Sequence, residues 1–200
     1  MRPRIYLASR SPRRRELLRQ IDVSFDMLLD ERAGTEVDET PLPGEAVEAY
    51  VARLATLKAQ AGERRIRLRQ LLPRPVLGAD TTLELDGVII GKPESPAHAR
   101  EILQRLSGRS HRVLTAVALA DAERTECLTS ISQVRFRPLD EGEIRRYVES
   151  GEPMDKAGAY GIQGRAAIFV ADIQGSHSGI MGLPLHETAT LLSRFGLPVL

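Results

Sequence analysis

The sequence predicts an α/β fold, because strand and helix signals alternate along the chain and most of the predicted helices carry a recognisable start or end. The chain has 200 residues, and its hydrophobic fraction of 42% is ample for a buried core. Its length and the lack of internal repeats predict a single domain over residues 1–200, built as one large unit or as two lobes.

The first predicted helix, Pro12 to Gln20, follows a short apolar strand at residues 5–8 and has an unusual charge pattern. Ser11 suits the N-cap, and proline suits the first helical position. Residues 13–15 are all arginine, although the positive end of the helix dipole favours acidic side chains. Free amides, the dipole and guanidinium groups would converge on an anion, so we expect a phosphate site here.

The predicted helix that starts at Ser95-Pro96 and ends near Gly108 provides an internal comparison. It has the same start as the first helix, but its next three residues are Ala-His-Ala. The arginine cluster is therefore not simply how this chain begins a helix.

A longer helix is predicted from about Glu45 to Ala61, because Val47, Val51 and Leu54 recur at helical spacing. The arginine-rich residues 63–74 either prolong this helix or form a loop. Such runs of charge are usually solvated surface, although a nucleic-acid patch is the alternative.

A hairpin is predicted around Asp86-Gly87, which separates two apolar runs. A short buried strand at residues 76–77 leads into Asp80, and the hairpin register places Thr81 opposite Lys92. Asp80 would then point to the other face of the ladder, so cooperation with Lys92 requires a break near Gly78 or Gly91. A surface contact of little energetic value is the alternative for this carboxylate and lysine.

The rest of the chain alternates between strand and helix patterns. A capping box at Asp140 and Glu143 predicts a helix that ends at Gly151. The other expected elements are strands at residues 111–119, 127–136 and 166–173 and a last helix at residues 185–195.

Composition excludes several classes of function. The net charge of +1 gives no general attraction to nucleic acid or to a membrane, and the lack of tryptophan argues against a base-stacking platform. The single cysteine, Cys127, fits a reducing compartment. No apolar run suits a membrane span or a signal peptide, so we expect a cytoplasmic protein. The four histidines lack metal-ligand spacing.

The lysines are a further signal, because 25 of the 28 basic residues are arginine and three are lysine: Lys58, Lys92 and Lys156. A lysine that persists against this bias suggests a need for a compact charge, with chance as the alternative. Lys156 lies in the glycine-rich residues 155–164 with Gln163. Gln163 could read a base edge, or the segment could be only a tight turn.

Together, these motifs resemble the Maf family of nucleotide pyrophosphatases. The resemblance runs in order along nearly the whole chain, through Leu7–Leu18, Val37–Pro41, Tyr50–Ala59, Leu77–Thr81, Gly91–Pro93, Leu106–Val113, Asp155–Gly164 and Gly182–Leu185. The form of Asp155–Gly164 is similar to that of the subgroup acting on dTTP and UTP rather than on 7-methyl-GTP.

The resemblance implies a mixed central sheet flanked by helices, with two lobes around a cleft, as in Maf and ITPase folds. It implies hydrolysis of dTTP, UTP and modified pyrimidine nucleotides to the monophosphate and pyrophosphate, with Mg²⁺ or Mn²⁺, often in a homodimer. Asp80 would be the catalytic carboxylate, as general base or metal ligand, with Glu39 as a second metal ligand. Substrate specificity would fall to Arg13, Thr81 and Gln163, and phosphate binding to Ser9, Arg14, Lys58 and Lys92.

Three departures from the family pattern concern substrate preference. Arg10 replaces a small residue, His177 stands where an aromatic hydroxyl is common, and residues 62–75 are unusually basic. Two other functions remain open. One is a non-catalytic regulator of cell division that binds nucleotides or nucleic acid through residues 64–74. The other is a different phosphohydrolase. Stable binding of nucleic acid or a membrane is not expected.

Overall fold

The computed structural model describes residues 3–29 and 37–199. Its first helix, α1 (Pro12–Gln20), has the predicted bounds, because Ser11 caps it and Pro12 occupies its first turn. In the sequence, this helix connects two short strands, β1 (Arg4–Leu7) and β2 (Ser24–Met27), which pair with each other in parallel. The long helix α2 (Val47–Leu68) extends past the predicted end at Ala61, so part of the arginine-rich segment prolongs it.

Within the described residues, seven strands form one mixed sheet. Besides β1 and β2, these are β3 (Val76–Leu85), β4 (Val88–Ile90), β5 (Ser110–Ala120), β6 (Thr125–Phe136) and β7 (Val170–Gln174). The strand order is β2-β1-β3-β5-β6-β7, with β4 also paired to β3. The strands around β3 pair in both directions: β1 runs parallel to β3, whereas β4 and β5 run antiparallel to it. The predicted mixed α/β fold is confirmed.

Helices cover both faces of the sheet. Helix α2 lies on one face, where its small and β-branched side chains pack on the alternating alanines of β5. On the other face, α1 and α6 (Leu185–Arg194) pack against β1 and the centre of the sheet. Another core cluster joins α3 (Pro96–Leu106) and α4 (Glu141–Glu149) to the C-terminal ends of β3 and β6.

Three local predictions are tested directly by the backbone. The capping box of Asp140 and Glu143 is present at α4. The hairpin has the predicted register, with Leu85 paired to Val88, and β4 ends at Ile90, so the ladder breaks before Gly91. The predicted strand at residues 166–173 is wrong in its first half, because Arg165–Phe169 forms 3₁₀ turns that bury Ala166 and Phe169.

The side chains of the arginine-rich segment lie in several different environments. Arg67 pairs with Glu63 of the same helix, and Arg74 pairs with Asp26 at 2.6 Å while lying over the Tyr6 ring. Arg65 lines the cleft described below. These three side chains therefore have different surroundings in the fold. No helix in the described part of the chain is long and apolar enough to cross a membrane.

Candidate active site

A gap in the sheet creates the candidate site. Among the described residues, strand β3 pairs with β1 only at Val76 and Leu77 and with β4 only at residues 83–85. Between these pairings, residues 78–82 have β5 as their neighbour on one side. A cleft of about 700 Å³ opens at this gap. Asp80 therefore lies in the middle of a ten-residue strand, and the prediction that it follows a short strand is wrong.

Asp80 is held by partners from α2 and from its own strand. Lys58 Nζ donates to Asp80 Oδ1 at 2.7 Å, and the Thr82 hydroxyl donates to Asp80 Oδ2 at 3.2 Å. The same ammonium lies 2.6 Å from Glu39 Oε1. One lysine thus joins the two predicted acidic residues. The predicted partner Lys92 lines the same cleft, but the lysine in contact with Asp80 is Lys58.

Gly78 explains how Lys58 comes so close. A Cβ atom at Gly78 would lie 2.5 Å from the Ala59 nitrogen and 2.7 Å from the Ala55 carbonyl oxygen. Glycine is therefore required for α2 to approach β3 at this point. This approach places Lys58, which is next to Ala59 on the helix, over Asp80.

Arg14 lies on the opposite face of β3 and connects three segments. Its Nε donates to the Gly182 carbonyl at 2.7 Å, Nη1 to Ser9 Oγ at 3.0 Å and Nη2 to Thr81 Oγ1 at 3.2 Å. Burial lowers the pKa of the Arg14 guanidinium, and the charge of Asp80 opposes that shift. Arg14 uses at least three of its five N–H groups to fix the walls of the cleft.

The three consecutive arginines differ in position. Arg13 and Arg14 line the cleft, whereas Arg15 is half-buried outside the lining. The Arg15 Nε is buried without a hydrogen-bond partner among the described residues. Part of the Arg15 side chain is therefore enclosed by the protein.

The glycine-rich segment forms a second wall of the cleft. Gly158 has a φ of +72°, and its N–H donates to the Gly91 carbonyl at 3.0 Å, which ties the segment to the end of the hairpin near Lys92. A Cβ at Gly161 would lie 2.9 Å from Lys156 Cε and 3.8 Å from Gln163 Oε1. The Lys156 side chain therefore packs against the backbone at this position, with the Gln163 amide beside it.

Asp155 adds a carboxylate to this wall. Its side chain accepts a 2.6 Å hydrogen bond from Lys156 Nζ. Burial would raise the pKa of Asp155, but this hydrogen bond and the charges of Lys156 and Arg13 outweigh it and lower the pKa. Asp155 therefore stays ionised and offsets part of the local positive charge.

An aromatic cluster supports the wall from behind. Tyr160 lines the cleft, and its hydroxyl lies 2.8 Å from His111 Nε2. Both rings pack against Phe136. Burial lowers the pKa of His111 to about 4, so this histidine is neutral at physiological pH. His111 is therefore a buried member of this aromatic cluster. The described residues contain no group of three or more histidine, cysteine or acidic side chains arranged to hold a metal ion.

The cleft brings together every site residue predicted from the sequence. All of them lie in its lining: Ser9, Arg13, Arg14, Glu39, Lys58, Asp80, Thr81, Lys92 and Gln163. Sequence reasoning assigned no site role to Arg10, Arg65, Asp155 and Lys156, which line the cleft, or to Thr82, which bonds Asp80. Among the described lining residues, seven cationic side chains face three carboxylates, which leaves an excess of positive charge.

The sequence that forms this cleft matches a known protein family over almost its full length. Residues 4–195 match the family model described as Maf, Maf-like protein. The chain belongs to the Maf family. Two similar Maf-type relatives are both named dTTP/UTP pyrophosphatase. The protein from Aromatoleum aromaticum is 66% identical, over 98% of this chain and 97% of its own. The protein from Dechloromonas aromatica is 59% identical, over 96% and 98%.

Solved structures support the fold of this Maf chain. The Staphylococcus aureus Ham1 protein superposes with a TM-score of 0.53 at 16% identity, covering 96% of this chain and 99% of its own. A HAM1 protein from Coxiella burnetii gives 0.50 at 19% identity, with the same coverage. At these identities the likeness establishes the shared mixed α/β architecture.

Proposed function

We propose that this Maf protein hydrolyses dTTP and UTP, and modified pyrimidine nucleotides, to the monophosphate and pyrophosphate. The observation that carries the proposal is the arrangement of Asp80, Lys58 and Glu39 at the gap in the sheet, inside a cleft with excess positive charge. The names of the two similar relatives support the choice of nucleotides.

Electrostatics favours a polyphosphate as the ligand. A nucleoside triphosphate carries several negative charges. Cationic side chains enter the cleft from both faces of β3: α2 contributes Lys58, and α1 contributes Arg13 and Arg14. Positioning and charge stabilisation dominate phosphoryl-transfer catalysis. We therefore assign phosphate binding to Ser9, Arg14, Lys58 and Lys92, which line the same cleft as Asp80.

The donor set suits a hard divalent cation. Glu39 and Asp80 contact one ammonium group, so the two carboxylates lie close enough to share a positive charge. Mg²⁺ is commonly bound by one or two carboxylates together with substrate phosphates and water. We propose that these two residues hold Mg²⁺ or Mn²⁺, which when bound would neutralise charge on the phosphates.

Asp80 is the proposed catalytic carboxylate. Its hydrogen bonds with Lys58 and Thr82 orient the carboxylate and leave lone pairs that can accept a proton from water. The water oxygen forms a bond to phosphorus while the bond between the α and β phosphates breaks. Pyrophosphate leaves, and nearby cations such as Lys92 and Arg14 stabilise its developing charge.

A product assay tests this function. The protein is incubated with dTTP, UTP, CTP and GTP in Mg²⁺ or Mn²⁺, and the products are separated by ion exchange. We expect dTMP or UMP with pyrophosphate in equal amounts. Orthophosphate as the first product would instead support a different phosphohydrolase. No turnover, together with salt-dependent binding of oligonucleotides, would support the regulator of cell division.

Gln163 is proposed to read the pyrimidine base. An amide offers both a donor and an acceptor, which match the O4 and N3–H groups of thymine and uracil. The Gln163→Glu variant loses the donor and repels O4. We expect kcat/KM for dTTP and UTP to fall about 10- to 100-fold, with a smaller loss for CTP, whose N4 amine donates.

A matched control for this variant is Gln104→Glu, which adds the same charge on the exposed surface of α3. Steady-state kinetics on all three nucleotides should leave this control near wild type. Equal relative kcat/KM values in Gln163→Glu and wild type would remove Gln163 from base recognition.

The family resemblance also supports a homodimer in the cytoplasm. Light scattering on the purified protein would test the assembly, and a mass equal to that of one chain would contradict it.

A further inference from the structure

Thr115 is a buried polar residue in an otherwise apolar stretch of β5. It is 1% exposed, and it lies directly opposite Thr81 in the ladder between β3 and β5. Its hydroxyl oxygen is 2.7 Å from the Gly179 carbonyl oxygen and 3.1 Å from Thr81 Oγ1. Thr115 thus bridges the cleft residue Thr81 to the short helix α5 (His177–Met181).

The number of hydroxyl hydrogens determines which group donates in each hydrogen bond of this bridge. A threonine hydroxyl has one hydrogen, and a carbonyl oxygen can only accept. The Thr115 proton therefore goes to Gly179 over the shorter distance, and the Thr81 hydroxyl supplies the proton between the two threonines. Thr81 Oγ1 in turn accepts from Arg14 Nη2 at 3.2 Å.

The result is a continuous chain of hydrogen bonds from a charged donor to a backbone acceptor. It runs from Arg14 through Thr81 and Thr115 to the Gly179 carbonyl. Each hydrogen bond in such a chain polarises the next, and a buried location strengthens the effect. The Gly182 carbonyl, three residues beyond Gly179, accepts from Arg14 Nε. Arg14 and Thr115, at the two ends of this series of hydrogen bonds, therefore both bond to carbonyls of residues 179–182.

We propose that Thr115 is a positioning residue that acts through Thr81 to hold Arg14 in the orientation needed for catalysis. Thr115 does not line the cleft, so this effect on the reaction would be indirect. The proposal rests on the proposed pyrophosphatase function. It assigns the hydroxyl, and not the methyl group, of Thr115 to this task.

Substitution of Thr115 by valine and by serine separates the two groups. Thr115→Val keeps the shape but removes the hydroxyl, and we expect kcat on dTTP to fall about 10- to 100-fold with KM changed less than about threefold. Thr115→Ser keeps the hydroxyl and should recover most of kcat. A serine variant as slow as the valine variant would overturn the proposal.

Thr188→Val provides the matched control. Thr188 is also fully buried, and its hydroxyl donates to a backbone carbonyl, that of Pro184, at 2.7 Å within α6. This variant measures the general effect of removing a buried hydroxyl outside the cleft lining. Equal losses of kcat in Thr188→Val and Thr115→Val would show that the effect is only structural.

A second measurement does not depend on turnover. In ¹H–¹⁵N spectra, the Arg14 Nε–H can be assigned by its loss in Arg14→Lys. Its exchange with water should be slow in wild type and about tenfold faster in Thr115→Val. If the valine variant does not fold, Thr115→Ser and Thr115→Ala form a pair that differs only in the hydroxyl.

These readouts distinguish two failures. A wild-type protein that releases no pyrophosphate contradicts the proposed function, while the exchange rate still shows whether Thr115 holds Arg14. Unchanged exchange and unchanged kcat in Thr115→Val, with an active wild type, contradict the positioning role alone.

Discussion

Asp80→Asn is expected to lower kcat on dTTP by at least about 10³-fold while the protein stays folded and still binds nucleotide. The substitution removes the carboxylate that can accept a proton or hold a cation, and such roles commonly contribute 10²- to 10⁴-fold to a rate. The amide keeps an oxygen that can accept from Lys58, and its NH₂ group can donate to Thr82. The local hydrogen bonds therefore survive in large part.

The measurements for Asp80→Asn are pyrophosphate release, calorimetric nucleotide binding and thermal unfolding. Loss of one negative charge in the cleft should leave the affinity for dTTP unchanged or slightly higher. Asp86→Asn is the matched control, because Asp86 is exposed at the hairpin turn, where it has a φ of +56° that asparagine tolerates. Wild-type kcat in Asp80→Asn would eliminate Asp80 as the catalytic carboxylate.

Elements with specific terminal signals were well predicted from the sequence. The bounds of α1 follow from Ser11 and Pro12, and those of the hairpin follow from Asp86-Gly87, because these residues determine the local backbone geometry. Strand β2 (Ser24–Met27) was not predicted, since it is short and only partly buried. Its position depends on parallel pairing with β1, which local patterns do not encode.

Two errors have physical causes in packing. Gly78 was interpreted as the end of a strand, but it lies within β3 and provides space for α2. The apolar run at residues 166–169 predicts a strand, yet it forms 3₁₀ turns that bury Ala166 and Phe169. A short apolar run is compatible with either structure, and the tertiary environment determines which one forms.

The membership of the site was more predictable than its contacts. Family-specific motifs identified the acidic and basic residues, and all of the predicted ones lie in one cleft. The pairing of Asp80 with Lys58 depends on the close approach of α2, and the bridge through Thr115 depends on the register of β3 and β5. A threonine within the run Val113–Ala118 was the available signal for this bridge, because a buried hydroxyl requires a partner.

Arg14→Lys is expected to lower kcat/KM on dTTP by about 10²- to 10³-fold, although it keeps the positive charge. Lysine cannot reproduce the planar fork that reaches Ser9, Thr81 and Gly182 from three nitrogens. Lost hydrogen bonds should also lower the free energy of unfolding by about 1–3 kcal/mol. Steady-state kinetics and urea unfolding measure the two effects.

Arg15→Lys is the control on the same turn, because Arg15 is half-buried but does not line the cleft. If the helix needs only positive charge at its start, both lysine variants should remain active. If the fork of Arg14 positions the cleft, Arg14→Lys alone should lose activity. In the double variant Arg14→Lys/Thr115→Val, the losses should then be smaller than the product of the single effects, because both substitutions release the same guanidinium. Strictly multiplicative losses would show that Thr115 and Arg14 act independently, and the arginine would bind phosphate without help from β5.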